Sequence, residues 1–470
     1  MLTRLLDRHP KAFRFILPLF VAFLMFSIPA LASSAEGAEA GHSMAIPLTF
    51  LWLSVLFVLS KLGTLIEKLG QPAVLGELIV GVILGNLGLL GLHIFDSAAT
   101  NQYLIFLAEF GVVLLLFRIG LESNLQEMKK VGLQAFLVAI IGVVLPFLGG
   151  TLLVGNLFYA DSSFATKLFI GAAMTATSVG ITARVFQDLK KLQTKEAKVV
   201  LGAAVIDDVL GLLILAVVTS IASSGALDPM TILILSGKAL GFLVAAIVVG
   251  QFAAPWIGKG LSKISSGVGM KLTFALSFAL LIAYLAALVG LAPIVGAFAA
   301  GLVLDNVHFK TFKSPSHIAK IKEKLAPLGN KMDEAVYLLK HVEEKHVEDL
   351  VDTVGHLFIP LFFVMTGLQV KLDVLFDPKV LGVALAVTAI AFIGKILAGL
   401  GTWGGTKRMI VGFGMIPRGE VGLIFANVGK ALGVVSDELF SVIIVMVIFS
   451  TLLTPPILAA LLKRQDKAAA

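Results

Sequence analysis

The stretch PAVLGELIVGVILGN, Pro72–Asn86, returns in outline 220 residues later as APIVGAFAAGLVLDN, Ala292–Asn306. Both carry G-x4-G-x2-L-x-N, at Gly76, Gly81, Leu84 and Asn86 and again at Gly296, Gly301, Leu304 and Asn306. A second echo follows in the same order: LLFRIGLE (Leu115–Glu122) against FFVMTGLQ (Phe362–Gln369), 247 residues apart. One echo in glycine-rich apolar sequence is no more than chance supplies. Two in register indicate an internal duplication, and a charged stretch, 307–352, absorbs the difference in offset.

The solvent for both copies is lipid. The chain is 58% apolar and 14% charged, with a mean hydropathy of +0.99, whereas soluble domains are near half apolar and about a quarter charged. Runs of roughly 20 apolar residues, the length that crosses ~30 Å of hydrocarbon as a helix, recur throughout. The 46 glycines suit helices that pack closely in a bilayer. Cysteine is absent, which excludes disulfides and thiolate chemistry. The net charge of +7 is read through its distribution and not as a nucleic-acid signal.

Hydropathy predicts an all-α polytopic protein with 13 spans. They lie at 46–67, 72–91, 102–122, 131–156, 163–186, 197–221, 231–256, 269–289, 291–306, 354–372, 378–402, 407–430 and 436–462. Residues 1–32 are laid out as a signal peptide: Arg4, Arg8, Lys11 and Arg14, an apolar stretch Phe15–Pro29, then Ala30-Leu31-Ala32. Basic loops stay cytoplasmic. Lys129 and Lys130, Arg184 through Lys198, Lys259 through Lys271, and Lys407 with Arg408 therefore mark the inner side, while Asp96, Asp161, Asp228, Asp437 and Glu438 mark the outer, where only the loop with Lys371 and Lys379 is mixed. The mature N-terminus is expected outside and the C-terminus inside. The inner loop 307–352 is expected to carry a solvated amphipathic helix around Ile318–Asp352.

The echoes pair span 2 with span 9 and span 3 with span 10, so spans 1–6 match 8–13 and span 7 connects them. An odd offset turns one copy upside down relative to the other. Inverted repeats of this kind underlie many secondary transporters.

Ionisable groups at membrane depth are costly and functional by default. Asp207 and Asp208 lie mid-span in VLGAAVIDDVLGLLILAVV, and Lys395 lies mid-span in AVTAIAFIGKILAGLGTW. Neighbours on a helix point ~100° apart, so the two aspartates face different partners, and Lys395 is the available counter-charge. Two spans are interrupted at corresponding places, span 5 through Thr175–Thr182 and span 12 through Gly412–Glu420, which includes Pro417 and Gly419. Paired interruptions point to a transport site; Arg418 and Glu420 are placed to balance half-helix dipoles there. Glu77 and Glu122 are expected as structural partners for Arg118 or the broken helices, and His93, His308 and the other histidines as chemically idle residues of loops or the leader.

With these residues in hand, the chain resembles the monovalent cation:proton antiporter-2 family. The likeness rests on QPAVLGELIVGVILG, EFGVVLLLFRIGLE, TATSVGITARVF, AAVIDDVLGLL, GLAPIVGAFAAGL, IPLFFVMTGL, GKILAGL and GMIPRGEVGLI. It implies two crossed broken helices in an ion-transporting core (131–221 and 378–462), a dimerisation scaffold (46–122 and 269–372) and a linker helix (231–256). It further implies a homodimer in a bacterial inner membrane, with elevator-like movement of the core. By matching position, Asp208 would carry the ion or proton, Asp207 would pair with Lys395, Thr175 and Thr177 would lie beside the site, and Arg418, Glu420 and Glu77 would support the broken helices. An Asp-Asp pair with a lysine resembles the electrogenic branch, which exchanges about two protons for one sodium ion. Residues 307–352 depart from the family pattern.

The expected activity is exchange of a monovalent cation, sodium or lithium, for protons, with no cofactor, nucleotide or nucleic acid. Carboxylate, hydroxyl and carbonyl oxygens suit a hard cation, and a cation and a proton cannot share Asp208. Potassium/proton exchange is the nearest alternative. A channel does not need matched half-helices, and an intramembrane aspartyl protease needs carboxylates on separate helices.

Overall fold

In the computed structural model, residues 45–469 are described except 70, 124, 225–228, 305–308, 310–311, 313–332, 371, 373–376 and 419. The leader at 1–32 therefore falls outside the described residues, as do Asn306, Gly419 and much of 307–352. The described secondary structure is helical throughout. In chain order the helices are α1 (Ala45–Gly63), α2 (Ala73–Gly85), α3 (Gln102–Glu122), α4 (Leu125–Leu148), α5 (Phe164–Ala173), α6 (Val179–Asp188), α7 (Lys195–Ser224) and α8 (Pro229–Ile264). They continue with α9 (Val268–Leu288), α10 (Pro293–Val303), α11 (Asp333–Leu368), α12 (Pro378–Ala398), α13 (Arg408–Gly414), α14 (Glu420–Ala431) and α15 (Asp437–Ala469).

Among the described residues, nine helices are long and apolar enough to cross a membrane. The expected spans 72–91 and 291–306 are represented by the short apolar helices α2 and α10, and 163–186 and 407–430 by the helix pairs α5/α6 and α13/α14. The 13 residues of α2 span ~20 Å, short of the hydrocarbon thickness. The charged segment also differs from expectation. Its helix is not separate from the following span but forms the first part of α11, which runs unbroken over 36 residues. No glycine or proline stands between Asp333 and Thr353 to end it.

Packing divides the helices into two groups. Helices α1, α2, α3, α9, α10 and α11 pack on one another, and α4 to α7 pack with α12 to α15. Helix α8 touches both groups through α7, α9 and α10, and α6 and α15 reach across to α2.

The glycines of the repeat explain the first group. A Cβ at Gly81 of α2 would meet the Val364 carbonyl and Gly367 of α11; one at Gly301 of α10 would meet the Phe117 carbonyl and Gly120 of α3. Gly81 corresponds to Gly301 and Gly120 to Gly367, so the two crossings are the same contact made twice with roles exchanged. Gly76 likewise packs on Gly63 of α1, and its counterpart Gly296 on Ile282 and Ala283 of α9. Without side chains between them the backbones come close, which is how helices associate where lipid gives no hydrophobic drive. At the end of α2, Asn86 fixes the register: its amide donates to Val370 O at 2.7 Å, and its Oδ1 accepts from Leu372 N at 2.7 Å.

Candidate functional site

Helix α5 ends at Ala173 and α6 begins at Val179; α13 ends at Gly414 and α14 begins at Glu420. The two breaks lie against each other and are stitched together. Ser178 N donates to Pro417 O at 2.6 Å, Thr177 Oγ1 to Met415 O at 3.1 Å and Thr182 Oγ1 to Gly414 O at 2.7 Å. Arg418, fully buried, donates from Nη1 to Ile416 O at 2.7 Å and from Nη2 to Met174 O at 2.8 Å and Ala391 O at 3.3 Å. Its own backbone is tied to α15, where Ser450 accepts from Arg418 N at 3.2 Å and Thr451 donates to Arg418 O at 2.5 Å.

The carbonyls freed by one break are thus used largely by donors from the other. A guanidinium with several donors in a fixed plane suits a place where carbonyls of three segments converge. The expected threonines separate here. Thr177 bridges the breaks, whereas Thr175 donates back to Ala172 O of its own helix at 2.7 Å.

Helix α7 passes this crossing, since a Cβ at Gly414 would sit 2.9 Å from Val200 Cγ2. It carries Asp207 and Asp208 at mid-length. Asp207 is buried and faces α12, where Lys395 Nζ lies 3.1 Å from its Oδ1; both side chains are essentially inaccessible. Asp208 turns ~100° away and is only partly buried. Helix α4 makes room for the lysine. A Cβ at Gly142 would lie 3.6 Å from Lys395 Cδ, and Gly394 lets α12 close on Pro146. The arrangement therefore holds one carboxylate locked in a dry ion pair and a neighbouring carboxylate that faces another way and is only partly buried.

Glu77, Glu122 and His93 have partners outside this pair. Glu420 opens α14, and its side chain is outside the described ones. Glu77 is fully buried on α2, with Arg184 Nη2 of α6 at 3.8 Å from its Oε1. Glu122 accepts from Arg118 Nε at 3.0 Å, and Arg118 also pairs with Asp352. His93 meets Asp96 at 2.9 Å on the surface. Sequence reasoning singles out neither Arg184 nor Asp188 as a site residue, and it reads His356 with the other histidines as an idle loop residue, whereas His356 lies within α11. It counted Arg184 only as a loop charge, although its place on the apolar stretch TATSVGITARVF was the available signal.

A profile described as sodium/hydrogen exchanger, transmembrane, matches residues 53–464. The chain belongs to that family. Among its relatives, the high-affinity Na(+)/H(+) antiporter NhaS3 of Synechocystis is 33% identical over 93% of this chain and 95% of its own length. The Na(+)/H(+)-K(+) antiporter GerN of Bacillus cereus is 32% identical over 89% and 97%. Among solved structures, the sodium proton antiporter MjNhaP1 of Methanocaldococcus jannaschii at pH 8 superposes with a TM-score of 0.58 at 17% identity, covering 88% of this chain and 97% of that one. That likeness shows a shared fold. The family match takes in both breaks, Asp207, Asp208 and Lys395 of this exchanger.

Proposed function

We propose that this chain is a secondary antiporter that exchanges sodium for protons, with Asp208 as the carrier of ion and proton. The observation that carries the reading is the buried Asp207–Lys395 pair, at 3.1 Å, beside the partly open Asp208 and next to the crossing of two broken helices. Sodium and a proton compete for Asp208, so binding one expels the other. When Asp207 turns to the ion, Lys395 loses its counter-charge and releases a proton, because a buried lysine without a carboxylate disfavours its charge. That second proton makes the exchange electrogenic.

Helices α4–α7 and α12–α15 form the core that moves in this reading, and α1–α3 with α9–α11 form the scaffold on which two copies pair in a bacterial inner membrane. Basic loops put the Arg184 end of α6 on the cytoplasmic side. Potassium is the second reading, since one relative's name includes it.

The test is proton flux in proteoliposomes with an imposed pH gradient, adding sodium, lithium or potassium in turn. Sodium should collapse the gradient for the wild type and not for Asp208→Asn, whose folding is checked by its elution and thermal profile. Potassium acting alone would replace the substrate, and a conductance without proton coupling would point to a channel. Full exchange by Asp208→Asn would end the proposal.

A further inference from the structure

The two helix groups meet a second time away from Asp208, in a cluster of charges at the Arg184 end of α6. Glu77 belongs to α2 in the first group. It is completely buried, and neither of its carboxylate oxygens has a hydrogen bond among the described residues. Arg184, on α6 in the second group, approaches it only to 3.8 Å. Arg184 holds Asp188 at 2.9 Å one turn further along α6, and Asp188 Oδ2 reaches back to Val74 N of α2 at 3.4 Å.

Beside these contacts a cavity of about 140 Å³ opens, lined by Lys61, Arg118, Arg184, Asp188, Asp352 and His356 among others. The contacts inside the first group are tighter. Arg118 engages Glu122 at 3.0 Å and also pairs with Asp352, and Lys61 Nζ donates to His356 O at 2.9 Å. At the buried end of the cluster the crossing contacts are longer, 3.8 Å from Arg184 to Glu77 and 3.4 Å from Val74 N to Asp188, while at its exposed edge Gln193 Nε2 donates across to Glu122 O at 2.6 Å.

A buried carboxylate recovers its desolvation only through close, well-made partners. Glu77 lacks them, while a permanently packed boundary could be built from apolar side chains without that penalty. Long, under-satisfied contacts between two bodies suit a joint that is made and broken. We propose that Glu77 of α2 and the Arg184–Asp188 pair of α6 form a latch that holds the core against the scaffold in one of its two positions, and so sets how the transporter divides its time between them. The latch lies apart from the Asp207–Lys395 pair and binds no transported ion. It rests on the moving-core reading, and the experiment separates the two.

The chain has no cysteine, so a thiol pair can be placed cleanly across the same boundary. Gly180 of α6 and Val112 of α3 adjoin across it, since a Cβ at Gly180 would lie 3.2 Å from Val112 Cγ2. The Gly180→Cys/Val112→Cys protein is reconstituted, oxidised, and assayed for exchange before and after reduction. The rate of cross-linking is then measured again with Glu77→Gln, with Arg184→Gln, and with both together.

The latch predicts exchange that stops on oxidation and returns on reduction. It also predicts cross-linking slowed at least roughly fivefold by either substitution, with the double variant no slower than the singles because they remove one shared contact. If exchange stops on oxidation but the substitutions leave cross-linking unchanged, the core moves and the latch is wrong. If the cross-linked protein still exchanges, the boundary is static, and both readings fall.

Discussion

The aspartate pair shows how adjacent residues come to differ in chemistry. Asp207 is committed to Lys395 at 3.1 Å in a site with almost no exposure, and Asp208 is not so enclosed. Removing one member of a buried pair typically costs ~3–5 kcal/mol, because the other is left as an unpaired buried charge. Lys395→Ala should therefore lower the unfolding midpoint in detergent, and Asp207→Asn should do the same. The double variant Asp207→Asn/Lys395→Ala should be more stable than either single one, since no isolated charge remains. Transport provides the second readout: Lys395→Ala should exchange slowly or without net charge movement. Simple additivity of the two stability losses would mean that the pair is not coupled as its geometry indicates.

At the scale of elements, the glycine crossings make a separate prediction. A Cβ at Gly81 would lie 2.2 Å from Val364 O, and one at Gly301 would lie 2.3 Å from Phe117 O, both backbone atoms that cannot swing aside. Gly81→Ala and Gly301→Ala should each destabilise the protein by ~2 kcal/mol or more, in the manner of an overpacked core. Gly241→Ala, on α8 with nothing near its Cβ, should be neutral or mildly stabilising. The comparison is made by thermal unfolding of purified protein.

These crossings were legible in the sequence as a repeated glycine spacing, because close backbone approach leaves that mark whatever the partner is. The two breaks were legible for a similar reason, through Pro417 and the Thr175–Gly180 run in otherwise apolar spans. Asp207, Asp208 and Lys395 stood out because a charge within 20 apolar residues has few explanations. For Glu77 the sequence pointed to Arg118 or a broken helix as its partner, but Arg184 and Asp188 as that partner were not legible. Charges at the ends of spans are common, and only the folded chain brings α6 onto α2. Nor did the sequence mark the continuity of α11, since a charged helical segment and an apolar one join there without a stop signal.

For the whole molecule, competition and charge movement must appear together. If sodium and a proton exclude each other at one carboxylate, the apparent KM for sodium rises ~tenfold for each pH unit below the pH at which that carboxylate titrates, while the maximal rate at saturating sodium is preserved. A second proton released from Lys395 steepens this dependence toward ~hundredfold per unit where both groups are protonated. The same second proton carries net charge, so an imposed membrane potential should change the rate of the wild type and reverse its effect with the sign of the potential. Lys395→Ala should lose both features at once, giving a one-proton slope and a rate indifferent to potential. Flux assays across a series of pH values, with potassium and valinomycin setting the voltage, measure the two quantities on one preparation. A steep pH dependence that survives in Lys395→Ala would place the second proton elsewhere. A wild-type rate insensitive to voltage would make the exchange electroneutral, with Asp208 as the single shared carrier and Lys395 reduced to a structural partner of Asp207.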